Sequence, residues 1–395
     1  MQDISLINSI SSKFDTPVYI YWEEIIIEQI QKILNLFSGI NFFPTYAVKA
    51  NSNPKLLELI WKNGFGMEVA SIGELFGVTK AHIKLKDVIW NSNCKTKEEM
   101  KFFIDSGVGR INIDSIEELK DWIELFSCNS FKNKPKFYLR INPNISVNTH
   151  KFIKTGLITH KFGIPINSIP DCIDIAKRED FHISGLHIHL GSQITEIEPF
   201  VEAFEEVALI LKKYNLNEIN IGGGFGINYT GNEINLNTYR QKVVPILRDF
   251  KVIAEFGRFI VGESSVYLTK VIRIKHNGAK TFVVVDGGMN HLIRPALYGA
   301  VHPFKIIGKT SNVKENYDIV GPICESGDVL YRNATDFLPE EGSLIAFCAA
   351  GAYGFSMANH YNGYPLPPEV LVHNDGSIEL IRARETFKDL YRGVR

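Results

Sequence analysis

The sequence predicts an α/β chain, with a (β/α)8 barrel over residues 36–262 and a second, mostly β domain over residues 263–395. Three observations predict it. Between about residues 40 and 258, short apolar runs alternate with longer helical patterns eight times, and eight in a row favour a closed barrel over a doubly wound sheet. After Gly262 helical patterns become scarce and strand-like runs follow one another. Polar residues also recur at the ends of the eight runs, the rim at which such barrels carry their sites.

The apolar runs are Phe43–Val48, Phe65–Val69, Val88–Asn91, Arg110–Ile113, Phe137–Ile141, Gly185–His189, Ile219–Ile221 and Val252–Glu255. Helical stretches fall between them, among them Pro54–Lys62, Lys97–Ile104, Ile116–Phe126, Phe200–Lys213 and Leu236–Phe250. Proline opens the first of these, where a missing N–H costs nothing. In the second domain Val266–Ile274, Thr281–Asp286, Ser343–Cys348, Glu369–Val372 and Ile378–Ile381 read as strands. Thr16–Tyr21 is also strand-like and precedes the first barrel strand, so residues 1–35 are expected to join the second domain. No internal repeat or low-complexity segment interrupts the pattern.

A chain of 395 residues is too long for one small core, in keeping with two domains. A net charge of −1 offers no electrostatic case for nucleic acid or an anionic membrane. Lys132, Lys134 and Lys136 form the densest cationic group and read as a solvated connection. The five cysteines (Cys94, Cys128, Cys172, Cys324, Cys348) include no Cys-x-x-Cys pair and no histidine pattern beside them. That argues against a disulfide scaffold or a metal site and for a reducing compartment. Met1-Gln2-Asp3-Ile4-Ser5 carries no basic-then-apolar signal, and no apolar run reaches spanning length, so the expected location is the cytoplasm.

The rim residues carry the chemistry. Lys49 ends the first run, Glu68 the second, Asn91 and Asn93 the third, and Asp114 the fourth. Arg140 closes the fifth, His187 and His189 the sixth, Gly222-Gly223-Gly224 the seventh, and Glu255 with Arg258 the eighth. Lys49 either snorkels to water or, desolvated at a buried strand end, has the lowered pKa that suits an amine attacking an aldehyde. Gly222–Gly224 is either a flexible turn or, after strand seven, a backbone cradle for a phosphate. An aldehyde and a phosphate on one molecule point to pyridoxal phosphate. Glu255 is then the acid partner of the ring nitrogen, or else a surface carboxylate paired with Arg258. His189 either stacks on the ring or is a satisfied core histidine.

Longer motifs extend this. Tyr46-Ala47-Val48-Lys49-Ala50-Asn51, Arg140-Ile141-Asn142-Pro143, Thr155-Gly156-Leu157 and Lys161-Phe162-Gly163-Ile164 stand in order along the barrel. They are followed by His187-Ile188-His189-Leu190-Gly191-Ser192-Gln193, Asn290–Tyr298, Cys324-Glu325-Ser326-Gly327-Asp328 and Gly351–Ser356. Together they resemble the pyridoxal-phosphate-dependent ornithine/diaminopimelate/arginine decarboxylase family, of alanine-racemase-like fold, and within it most the diaminopimelate branch. The resemblance covers the chain from about Thr16 to its end.

The resemblance implies cofactor contacts at Lys49, Glu68, Arg140, His189, Ser192, Gly222, Gly223, Gly224, Glu255, Gly257, Arg258 and Tyr353. It implies substrate contacts at Arg258, Arg294, Tyr298, Glu325 and Tyr353, and catalysis by Lys49 and Cys324. Cys324 and Glu325 would enter the site from a partner subunit, which implies a homodimer. On the residues alone, Cys324 could be an ordinary buried cysteine, Arg294 a turn arginine and Tyr353 interface packing. The implied reaction is decarboxylation of meso-2,6-diaminopimelate to L-lysine. The rivals are decarboxylation of another amino acid, racemisation, and a non-catalytic regulator on the same fold. Phe256 for a usual proline, His291 for a usual aspartate, Glu68 for aspartate, and Tyr364-Pro365 without a preceding arginine depart from the family pattern and bear on the substrate.

Overall fold

The computed structural model describes residues 4–143 and 161–394; Met1-Gln2-Asp3 and Thr155-Gly156-Leu157 lie outside the described residues. The chain forms two compact units, one of Met1–Ile26, Asn228–Gly231 and Val261–Arg395, the other of Ile27–Ile227 and Asn232–Ile260. Among the described residues no helix is long and apolar enough to cross a membrane.

The unit of Ile27–Ile227 and Asn232–Ile260 is the barrel that the alternation predicts. Its parallel strands are Phe42–Ala47, Gly66–Val69, Val88–Asn91, Arg110–Ile113, Lys136–Asn142, Ile183–Ile188, Glu218–Asn220 and Lys251–Phe256. Each pairs with the next, and Lys251–Phe256 closes the ring on Phe42–Ala47 with Glu255 opposite Thr45. A short strand, Ile164–Pro165, adds to the ring by pairing Ile164 with Ile141. Lys136 belongs to a strand and its ammonium bonds Glu218, so it is not part of a solvated connection.

The outer helices have local reasons to start and stop. Asn53 caps Pro54–Lys62, and Thr96 with Glu99 forms a reciprocal capping box on Lys97–Ser106, which ends on the left-handed Gly107. The single helix expected over Leu236–Phe250 is two, Leu236–Lys242 and Val244–Leu247. Pro245 supplies no N–H to continue the first, and the ladder breaks before it.

The other unit is built on a sheet whose main path runs Val329–Pro339, Thr310–Val320, Lys280–Val285, Ser265–Asn277, Val18–Trp22, Glu369–Val372, Ile378–Arg382. Leu344–Cys348 pairs with Ser265–Asn277, and Phe304–Ile307 with Leu344–Cys348. Val18–Trp22 lies inside this sheet, antiparallel to Ser265–Asn277 and parallel to Glu369–Val372. Its Val18 and Ile20 share a core with Ile7 and Ile10 of the helix Ile4–Phe14 and with Val266, Leu268 and Val370. Burial of such side chains contributes roughly 1.5–3 kcal/mol each.

Candidate active site

Side chains alternate across a strand, and the barrel register shows which point inward. Asn112 stands opposite Asn91 and Tyr138, Arg140 opposite His187, His187 opposite Asn220, and Glu255 opposite Thr45. Two residues earlier on several of these strands lie Tyr138 and Ile253, which pack with Ile89 and Phe43 as an apolar layer. Below it Glu218 accepts from Tyr138 Oη at 2.6 Å and bonds Lys136. One step along each strand therefore separates barrel core from rim chemistry.

Glu255 is the best-held group on that rim. It is 5% exposed, and its Oε1 accepts from Asn220 Nδ2 at 2.7 Å and Asn112 Nδ2 at 3.1 Å. His187 Nε2 lies 3.4 Å from Oε2, long for a hydrogen bond. Burial opposes the charge, yet the facing His187, by charge and hydrogen bond, and the Lys49 ammonium hold the carboxyl well below the usual carboxylate range. Burial lowers the His187 imidazole, so Glu255 is the charged member of the pair. The alternative of a surface carboxylate does not fit, because Glu255 is buried; Arg258 Nη2 donates to Ser192 Oγ at 2.9 Å.

Asn112 and Asn220 were invisible in the sequence as site residues. An asparagine in an apolar run has no signature until the register aims its amide at a carboxylate. Behind Asn112 lies a second unforeseen group, the buried pair Lys95–Glu118 at 2.8 Å. Lys95 Nζ also donates to the Asn112 carbonyl at 2.8 Å, and Glu118 Oε2 accepts from the Asp114 N–H at 2.9 Å. Asp114 in turn accepts from Arg140 Nη1 at 3.0 Å. The pair thus fixes the end of the fourth strand, from which both Glu255 and Arg140 are held.

Lys49 differs from expectation. Its strand ends at Ala47, and the residue sits exposed in the 3-10 turn Val48–Ala50. The turn carries the residue past the end of the strand. The titratable groups that interact with it include Glu68, Glu74, His189 and Glu255. Asn93 likewise lies exposed beyond its strand, whereas Asn91 is buried.

Glu68 is 1% exposed, and its Oε1 is buried without a hydrogen-bond partner among the described residues. Burial, together with the Glu255 and Glu74 charges and against the pull of Lys49, pushes its carboxyl from 4.5 up to about 7. Of the two carboxylates near one ammonium, Glu255 keeps the charge and Glu68 the proton. Between pH 4.5 and about 7 the folded protein therefore binds a proton that the unfolded chain has lost. This contribution to stability is full below pH 4.5 and is lost as pH rises through about 7. Glu68→Gln should flatten that part of the melting-temperature-against-pH curve of the cofactor-free protein; superimposable curves would show that another group titrates.

The glycines are required by the protein's own packing. A Cβ on Gly222 would lie 2.5 Å from the Ile188 carbonyl, on Gly223 2.1 Å from the Glu255 carbonyl, and on Gly224 2.4 Å from the Gly191 carbonyl. Gly222 and Gly224 also adopt φ of +62° and +101°. The Gly222 N–H donates to Asn220 Oδ1 at 3.0 Å and the Gly223 N–H to His189 Nδ1 at 3.2 Å. The second bond places any His189 proton on Nε2, and burial with the Lys49 and Arg140 cations keeps the ring neutral. His187 lies fully buried inside the strand and His189 half-buried beyond its end. A Cβ on Gly257 would crowd Ala50 and Ala47, so that glycine lets the eighth strand close against the Lys49 turn. Phe256 fills an aromatic cluster with Phe225, at 5.0 Å between ring centroids.

The remaining expected residues lie in the other unit. Arg294 is 5% exposed on the short helix Arg294–Tyr298, with Tyr298 half-buried at its end. Cys324 and Glu325 are both exposed, so Cys324 is not an ordinary buried cysteine. Their turn is pinned by Asp328, which accepts from the Ile323 N–H at 2.7 Å and the Met289 N–H at 2.6 Å, and by Asn362, which accepts from the Cys324 N–H at 2.7 Å. Tyr353 is half-buried at a φ of +57°. His291 is 2% exposed; its ring bridges Tyr267 Oη at 3.2 Å and the Pro365 carbonyl at 3.1 Å, and burial pushes it down to about 4. That departure from the family pattern is accommodated by internal packing, with both ring nitrogens in contact with the protein's own groups.

Comparison with known proteins follows the geometry. The sequence model described as "Pyridoxal-dependent decarboxylase, pyridoxal binding domain" matches residues 23–262. The chain is 36% identical over 399 residues to diaminopimelate decarboxylase of Aquifex aeolicus, covering 98% of this chain and 93% of that protein. It is 36% identical over 396 residues to the enzyme of the same name from Pseudomonas fluorescens, covering 98% and 94%. The crystal structure of diaminopimelate decarboxylase from Helicobacter pylori complexed with L-lysine superposes with a TM-score of 0.91 at 35% identity, over 98% of both chains.

Proposed function

Because the chain belongs to the pyridoxal-dependent decarboxylases, we propose that it removes CO2 from meso-2,6-diaminopimelate and releases L-lysine. The observation that carries this reading is Glu255, a buried carboxylate held anionic by its surroundings on the rim of the barrel. An anion there keeps a pyridine nitrogen protonated, which favours loss of CO2 over racemisation. Similarity to the relatives over nearly the whole chain supports the substrate.

The rim fits pyridoxal phosphate. Glu255 is the partner for the ring nitrogen, Glu68 Oε1 is a buried atom still to be matched, and the glycine turn has no room for side chains. We assign the phosphate to Ser192, Gly222–Gly224, Gly257, Arg258 and Tyr353, one ring face to His189, and further cofactor contacts to Glu68 and Arg140. When bound, the cofactor supplies an aldehyde for the substrate amine and a ring that takes up the electrons of the breaking C–C bond.

Lys49 would hold the cofactor at its aldehyde carbon, and its amine, once released, would hold a proton. Glu255 holds the proton at the ring nitrogen. Arg258, Arg294 and Tyr298 receive the distal carboxylate, Tyr353 lies against the substrate, and Glu325 receives the distal ammonium. As CO2 leaves, Cys324 or Lys49 delivers one proton to the α-carbon. Cys324 and Glu325 act in the site of a second copy of the chain, so the working unit is a homodimer. Its five free cysteines suit a reducing cytoplasm.

The test is CO2 release from meso-diaminopimelate by protein supplied with pyridoxal phosphate. Rapid release with L-lysine as product supports the reading; no release, with release from ornithine or lysine, replaces the substrate. Sharing of sites is tested by mixing. Lys49→Ala and Cys324→Ala proteins, each impaired alone, should exceed the mean of their separate activities when unfolded and refolded together. A mixture no more active than that mean would place Cys324 and Lys49 of one chain in one site.

A further inference from the structure

We propose that His302 and Tyr229 are positioning residues that aim the guanidinium of Arg294, and that this bracket sets affinity for the second carboxylate of the substrate. The inference rests on the reading of Arg294 as the group that receives that carboxylate. Arg294 Nη1 donates to Tyr229 Oη at 2.9 Å and to His302 Nε2 at 2.9 Å. The guanidinium carbon lies 4.9 Å from the centroid of the Tyr229 ring, and that ring meets His302 edge-on at 5.4 Å. All three residues belong to one compact unit, to which Asn228–Gly231 contributes Tyr229.

The protonation of His302 follows from its partners. Its Nδ1 lies 3.0 Å from the Cys348 carbonyl, which can only accept, so Nδ1 carries the proton. A guanidinium can only donate, so Nε2 is bare. Both contacts coexist only in the neutral Nδ1–H tautomer. His302 is 0% exposed, and the neighbouring Pro303 carbonyl accepts from the Cys348 N–H at 2.6 Å. The imidazole is therefore clamped to the end of the strand Leu344–Cys348 and hands that fixed position to Arg294.

The two acceptors take both hydrogens of Nη1, and this fixes the plane of the guanidinium. A free arginine side chain samples many rotamers, and ordering it on binding costs affinity. A carboxylate is recognised best by a fork already in place. Oriented recognition of a non-reacting group acts on binding rather than on the chemical step, so its loss should fall on KM.

The experiment is steady-state CO2 release from meso-diaminopimelate by holoenzyme carrying Tyr229→Phe, His302→Leu, His302→Gln, Arg294→Gln, or His302→Leu with Arg294→Gln. We expect Tyr229→Phe and His302→Leu each to raise KM about tenfold with kcat within about threefold. His302→Gln, which keeps an acceptor, should recover most of the loss. In the Arg294→Gln background His302→Leu should add nothing further. If Arg294→Gln raises KM and the Tyr229 and His302 variants do not, the bracket is overturned while the Arg294 reading stands. If Arg294→Gln leaves KM unchanged, both fall. Additive losses in the double variant, or losses confined to kcat, would assign His302 a structural role only. Should His302→Leu fail to fold, Tyr229→Phe decides, because it removes a single oxygen.

Discussion

Replacing Lys49 by alanine is expected to abolish turnover while leaving the fold intact. The residue is exposed and lies in a 3-10 turn, so truncation opens no cavity. The melting temperature of the cofactor-free variant should stay within a few degrees of the parent. Its rate should fall by at least about 10³-fold, because the proposed mechanism asks Lys49 to be both covalent anchor and proton carrier. CO2 release and a thermal melt on the same preparation check this. Substantial activity in a well-folded Lys49→Ala protein would remove the amine from the mechanism.

Replacing Glu255 by glutamine should cost about 10²–10³ in kcat, the range for removing one preorganised electrostatic group. The substitution is nearly isosteric, and a glutamine oxygen can still accept from Asn112 and Asn220, so the rim is not left with orphaned donors. What disappears is the charge. A second readout follows from Glu68, whose carboxyl is raised in part by that charge. In Glu255→Gln the Glu68 pKa should fall, and the loss of stability on approaching pH 7 should shrink with it. A variant with lowered kcat and unchanged pH dependence would show that the two carboxylates do not share the field.

The barrel was legible because its strands are buried on both faces and read as apolar runs. Val88–Asn91 and Arg110–Ile113 carry the same limits in the sequence and in the structure. The second unit was less so. Phe304–Ile307, Thr310–Val320 and Val329–Pro339 went unread, and long stretches of them face water. Thr310-Ser311-Asn312-Val313-Lys314-Glu315-Asn316 has no alternation to announce a strand, because neither face there is buried. The site divides in the same way. Glu255 stood out because a charge at a strand end is conspicuous; Lys49 stood out too, but for a burial it does not have. Asn112, Asn220, Lys95, Tyr229 and His302 act through pairings with residues far away in the sequence, and those pairings exist only once the strands are in register.

The apolar layer of Phe43, Ile89, Tyr138 and Ile253 has a consequence for how the rim responds to its medium. Ions in solution cannot gather on that side of Glu255, so the field between Glu255, Glu68 and Lys49 is shielded from one direction only. Surface pairs such as Lys97–Glu124 weaken as salt rises. The division of charge and proton between Glu255 and Glu68 belongs to the interior and should survive concentrations that dissolve those pairs. The barrel floor thus acts as an insulator on one side of the rim and leaves only the other side open to the ionic strength in which the protein works.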